Sequence, residues 1–337
     1  MNEDKVRNEG INANYNYYLS GKMVSNCLLF ILTALPYHGL WALWFWSGRR
    51  YWETTSMVIW LVAWICFVFV HAAVGLISVL FVDKIILYSH GARKKHLFME
   101  EEKYLIDIFN ETTHNVTREY NKVDPEARRV LSKRPPSTER SSEIPINKNP
   151  FYIIDEIDIN AFATMYGVAI NKGAIKTLST DALQGIMAHE LGHMRSNFIF
   201  FIRFLQGFLF FGTLLVTVYK YIRKYTGTII NDGDKEYLIQ SSNVIITILD
   251  FIFLIPTYYF KLISSKAFRW NELYADYIAV LSGYGEGLKS ALSVIYQFEL
   301  LRKLSLMDRL MLTHPPTAIR IVEIERLLNT GYYQAAP

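Results

Sequence analysis

The residues best suited to chemistry are His189, Glu190 and His193, in the run His-Glu-Leu-Gly-His. Two histidines at i and i+4 share one face of a helix, close enough to hold one ion. Neutral imidazole suits zinc. Glu190 stands beside the first histidine and can reach a water on the metal without being a ligand. Zinc lowers the pKa of such a water toward about 7, so a carboxylate can take its proton and pass it to a leaving amine. A catalytic zinc site needs a third protein ligand. Three candidates are Glu272, in Asn271-Glu272-Leu273-Tyr274-Ala275-Asp276, then His314, then Asp250 inside an apolar run. Two histidines with one glutamate form a known catalytic set, which favours Glu272. Asp276, one helical turn on, would face the same site and accept a proton from a ligand imidazole, fixing its tautomer. An acid inside an apolar span is usually paired or functional. The expected partner of Asp250 is Arg203, at a similar depth in an antiparallel run.

These groups need rigid supports. Ser179-Thr180-Asp181 offers an N-cap for a helix running to about Arg195, and Asp181 with Gln184 has capping-box spacing. Leu183, Ile186, Met187 and Leu191 mark its buried face, and Gly192 permits close approach of another backbone. Glu100–Tyr120 reads as an amphipathic helix. Phe151–Asp155 and Thr164–Asn171 are strand candidates, and Ser132–Pro150, rich in Pro, Ser and charge, reads as a loop. The polar part is therefore α+β.

The rest of the chain is unusually apolar. Of 337 residues, 51% are hydrophobic and only 20% charged. Disorder and disulfide scaffolds are excluded by 15% aromatics and two cysteines, Cys27 and Cys66, which are expected to be buried spectators. A net charge of +4 with no long basic run gives no support for nucleic-acid binding. Met23–Gly48 and Met57–Val82 contain no charge, and each is about 26 residues long, against roughly 20 needed to cross a bilayer. Asn197–Tyr219 holds one charge, Arg203, and Tyr237–Phe260 holds one, Asp250. About four transmembrane helices are expected. The organisation is then a polar N-terminal tail (1–22), a two-helix anchor (23–82), a first polar part (83–196), a second helix pair (197–260) and a second polar part (261–337). Trp41, Trp44 and Trp46 end the first run as an aromatic belt, so it is expected to be a retained anchor rather than a cleaved leader. Lys84, Arg93, Lys94 and Lys95 after the second run bias the polar parts toward the cytoplasmic side. His193 lies four residues before Asn197, and Glu272 about eleven after Lys261. If both ligand helices continue the spans, the metal sits roughly 6–17 Å from the bilayer surface.

Together, His189-Glu190-Leu191-Gly192-His193, then Glu272 and Asp276 after two apolar runs, resemble the M48 zinc metallopeptidases of the HtpX membrane-protease type. Asn160-Ala161-Phe162-Ala163 is similar to the family's segment before the catalytic helix, and Thr313-His314-Pro315-Pro316-Thr317 with Arg320 to its late His-Pro motif. The resemblance implies a gluzincin-like domain with one Zn2+ held by His189, His193 and Glu272, and Glu190 as general base. It implies that Asn160, Ala161, Phe162 and Ala163 line the substrate groove, and that His314 stabilises the oxyanion. It implies membrane or misfolded proteins as substrates, a quality-control role and a bacterial-type inner membrane location. The alternatives are an intramembrane protease using Asp250 or an inactive scaffold with a retained metal site.

Overall fold

The computed structural model describes residues 3–48, 57–123, 150–229, 262, 264–300 and 315–330. The chain forms two compact units. The first comprises Met1–Ser25, Phe81–Phe201 and Ala267–Pro337, and the second Asn26–Leu80 and Ile202–Lys266. His314, Asp250, the run Tyr237–Phe260 and residues 132–149 of the expected loop lie outside the described residues.

In the first unit a four-stranded sheet has the order β1-β2-β4-β3. Its strands are β1 (Arg93–Lys94), β2 (Phe151–Ile154), β3 (Ala161–Thr164) and β4 (Gly167–Asn171). β2 and β4 run parallel, and the other two pairings are antiparallel. Successive side chains of a strand point to opposite faces. Phe151 and Ile153 accordingly enter the main core, while Tyr152 and Ile154 join Leu87 and Ala169 on the other side. The expected strand Thr164–Asn171 is instead the turn and second arm of a hairpin. Met165 and Tyr166 form that turn, held by the Met165 N–H donating to buried Asp83 at 2.7 Å.

Helix α3 (Tyr104–Val123) starts later than expected, after a 3-10 turn at Glu100–Glu102. α4 (Lys172–Thr177) follows the sheet and leads to α5 (Thr180–Arg195). The Ser179 Oγ accepts from the Ala182 N–H at 3.3 Å, so Ser179 is the N-cap. That places Asp181 inside the first turn, where its charge suits the helix dipole, and the expected Asp181–Gln184 box is not the cap. α5 packs against β3, β4, α3 and α9 (Gly285–Leu300), and α9 packs against α10 (Thr317–Asn329). A further helix, α8, covers residues 264–281. Leu183, Met187 and Leu191 of α5 meet Phe109, Ile170, Ile278, Leu288 and Ile324 in one core.

The segment expected as a polar tail belongs to α1 (Glu3–Gly48), and Tyr15 and Tyr18 are only 2% and 1% exposed. α5 also does not run on into the next helix. Asn197 adopts a left-handed φ of 54°, a conformation asparagine tolerates, and ends α5 before α6 (Phe198–Phe208) begins. The expectation of a continuous ligand helix and span is corrected there.

In the second unit α1, α2 (Met57–Ser89), α6 and α7 (Phe210–Ile229) carry the apolar runs. Among the described residues one helix, Leu61–Ser89, is long and apolar enough to cross a membrane. The pair Phe198–Phe208 and Phe210–Tyr221 makes a second if taken as one span bent by 62°. Four spans are thus not reached among the described residues. The bend follows Gly207, where an added Cβ would lie 2.5 Å from the Ser78 side chain and 2.6 Å from the Val74 carbonyl. Small residues allow such close helix contact. Cys27 and Cys66 are exposed on α1 and α2 rather than buried.

Candidate metal centre

α5 and α8 bring three donors together. His189 Nε2 and His193 Nε2 lie 3.1 Å apart. Glu272 Oε1 is 3.2 Å from His193 Nε2, and its Oε2 is 3.4 Å from His189 Nε2. All three side chains are buried. An ion held at about 2.0–2.1 Å by nitrogen and oxygen has tetrahedral ligand–ligand edges of roughly 3.3 Å. The donor triangle matches those edges, and two imidazoles with one carboxylate are a set that zinc accepts. These residues fit the ion.

Behind the donors stands a charged support. Asp276 Oδ1 lies 2.8 Å from His189 Nδ1 and accepts its proton, which directs Nε2 to the cluster. Arg320, on α10, grips Asp276 with two donors, Nε to Oδ2 at 2.8 Å and an Nη to Oδ1 at 2.7 Å. Its other Nη lies 3.3 Å from Glu272 Oε2. Burial pushes the Glu272 carboxyl up, but the His193 and Arg320 charges hold it well below the usual range. Burial likewise raises Asp276, and Arg320 and His189 bring it down below its ordinary value. For His189, burial and Arg320 push the pKa down, and the Asp276 and Glu272 carboxylates outweigh them, raising it to about 10. The site therefore favours positive charge between the two imidazoles. Glu190 is buried on the same helix, and burial raises its carboxyl above the ordinary value.

The structure brings together His189, His193, Glu272 and Asp276. Asn160 and Ala161–Thr164 are placed at the sheet edge: among the described residues β3 pairs only with β4, and it packs on α5. Asn160 O accepts from the Asn171 N–H at 2.9 Å. Arg203, the expected partner of Asp250, donates to Gln206 Oε1 at 3.0 Å. The clamp of Arg320 on Asp276 is made by tertiary packing and is not legible in the sequence beyond the late motif that carries Arg320.

The model described as Peptidase family M48 matches residues 125–328. A protease HtpX homolog of Ralstonia nicotianae is 28% identical over 210 residues, covering 55% of this chain and 69% of the relative. Another, of Campylobacter concisus, is 27% identical over 217 residues, covering 56% and 70%. The crystal structure of S. mikatae Ste24p matches 90% of this chain at 19% identity with a TM-score of 0.43; the chain spans 64% of that protein. With the family match spanning more than half its length, the chain belongs to peptidase family M48.

Proposed function

We propose that this chain is a membrane-anchored, zinc-dependent endopeptidase. The carrying observation is the buried triangle of His189, His193 and Glu272, with Asp276 behind His189 and Glu190 on the same helix. A zinc ion bound there supplies Lewis acidity to the attacking water and the scissile carbonyl. Glu190 takes the proton of that water and delivers it to the leaving amide nitrogen. Asp276, fixed by Arg320, holds the His189 Nδ1 proton, so Nε2 keeps its lone pair for the ion. Asn160, Ala161, Phe162 and Ala163, on the edge that β3 forms among the described residues, offer main-chain groups to an extended peptide. His314 stabilises the oxyanion in this reading, as its Thr-His-Pro-Pro motif implies. With Glu272 supplying the third donor, the cluster does not need Asp250.

Four spans, a bacterial-type inner membrane, a cytoplasmic catalytic unit, and membrane or misfolded substrates cleaved in quality control complete the proposal. They are supported by the HtpX resemblance, the lysines and arginine after α2, and the outward apolar face of α2. The deciding experiment measures zinc content and casein or self-cleavage together. Glu190→Gln is expected to keep about one zinc per chain and lose cleavage. Wild-type cleavage by that variant with zinc bound would overturn the assignment.

A further inference from the structure

We propose that Lys22 is a positioning residue for the metal cluster, tying the two ligand-bearing helices to the N-terminal helix. The proposal rests on the metalloprotease reading above. Lys22 lies outside the family match, which begins at residue 125.

The first 25 residues of the chain belong to the catalytic unit. Tyr15 and Tyr18 are buried in its core, the Tyr277 hydroxyl donates to Ile11 O at 2.9 Å, and the Tyr18 hydroxyl donates to Glu323. Gly21 lies against Trp270 so closely that an added Cβ would stand 2.4 Å from the indole. α1 is thus docked before Lys22 is reached. Lys22 is 7% exposed. Its ammonium donates to Ser196 O at 3.0 Å and lies 4.3 Å from the centre of the Tyr274 ring.

Both contacts are placed for positioning. Ser196 is the C-cap of α5, three residues after His193. Helix C-termini carry partial negative charge and exposed carbonyls, which a cation satisfies. Tyr274 lies between Glu272 and Asp276 on α8. An aromatic face attracts a cation, more strongly when the pair is dry. One buried cation therefore joins the end of the His193 helix to the helix that carries Glu272. A buried ammonium is costly without such partners, so its partners are held where it needs them. Without the charge, α5 and α8 keep their apolar contacts but lose this tie beside the donors.

The test uses the full chain in detergent micelles. Zinc affinity is measured by competition with a chromophoric chelator, and thermal unfolding is recorded without zinc. Lys22→Met is expected to bind zinc about 10-fold more weakly, the low end for groups that orient ligands. Lys22→Gln keeps a donor for Ser196 O and is expected to fall between; it carries the test if Lys22→Met does not fold. Tyr18→Phe loosens α1 without touching Lys22, and is expected to lower the Tm but keep wild-type zinc affinity. Folded Lys22 variants that bind zinc like the wild type would overturn the inference. So would an equal loss of affinity in Tyr18→Phe, since general loosening would then explain it. If wild type and His189→Ala bind zinc equally, it is the metalloprotease reading that fails.

Discussion

At the residue scale, charge is placed by pairing. The metal cluster shows this in its Arg320–Asp276–His189 chain, where each charged group has its opposite within 2.8 Å. A second ion pair, between half-buried Arg93 and buried Glu102, stands apart from the cluster and can be tested by pH. Arg93 donates two hydrogen bonds to Glu102, at 2.9 and 2.8 Å, and the Met99 N–H adds a third at 2.8 Å. The hydrogen bonds from Arg93 hold the Glu102 carboxyl down at about 2. A folded-state pKa below the unfolded one stabilises the protein above the unfolded value, near 4.3, and the benefit disappears as pH falls toward 2. The shift corresponds to about 3 kcal/mol at neutral pH. Denaturant unfolding of wild type and Glu102→Gln is therefore expected to differ by about that much at pH 7, with the gap narrowing as pH falls from about 4.5 toward 2. Any titration of the cluster acts on both proteins and cancels in the comparison. A gap that stays constant over this range would refute the pairing argument.

At the element scale, two glycines on one face of α5 set how closely its neighbours approach. A Cβ at Gly185 would lie 2.1 Å from the Leu288 N of α9, and one at Gly192 would lie 3.0 Å from the Ala275 Cα of α8. α8 carries Glu272 and α9 carries no donor. Gly192→Ala is expected to cost about 1–3 kcal/mol through overpacking, and to reduce the rise in Tm that zinc produces. Gly185→Ala is expected to lower the zinc-free Tm at least as much while leaving the zinc-induced rise intact. Thermal unfolding of both, with and without zinc, separates the effects; an unchanged zinc response in Gly192→Ala would count against α8 as the ligand-bearing helix. The close approach at Gly192 was legible, because a glycine inside a strong helical pattern needs a packing reason. So was α5 itself, since cap, apolar stripe and His spacing are all local. Glu272 was legible only as one of three acids or imidazoles, because its partnership with α5 is made by tertiary packing. The β3–β4 turn is not legible in Met165-Tyr166, which carries no turn signal; Asp83, 82 positions earlier, holds it. Residues 1–22 read as a tail because polar residues dominate them, whereas the structure makes them part of α1. Ile11, Tyr15, Tyr18 and Lys22 nevertheless recur at helical spacing, which is the pattern that marks its buried face.

At the scale of the whole molecule, the apolar excess of the composition has to be reconciled with where the apolar side chains point. Only 22% of the most apolar stretch of α2 is covered by other parts of the chain. Val58, Ile59, Leu61, Val62, Ile65, Phe69, Val70, Leu76 and Ile77 are all exposed. A stripe of this kind in water is an aggregation hazard, whereas hydrocarbon accepts it at no cost. The two environments make opposite demands on a single substitution. Phe69 is 70% exposed and lies at the middle of the charge-free run Met57–Val82. On a water-facing surface, Phe69→Arg would change stability by no more than about 0.5 kcal/mol and improve solubility. In a bilayer, arginine at the centre of a span costs roughly 2.5–3.5 kcal/mol of insertion free energy. The expected outcome is that the wild type stays in the membrane fraction through an alkaline carbonate wash, while Phe69→Arg is partly released or degraded. Tyr88→Arg, at the polar end of the same helix, is expected to behave as wild type, because an arginine there reaches the interface. Equal retention of Phe69→Arg and Tyr88→Arg would show that α2 does not meet hydrocarbon at Phe69, and would remove the main physical support for the proposed membrane anchoring.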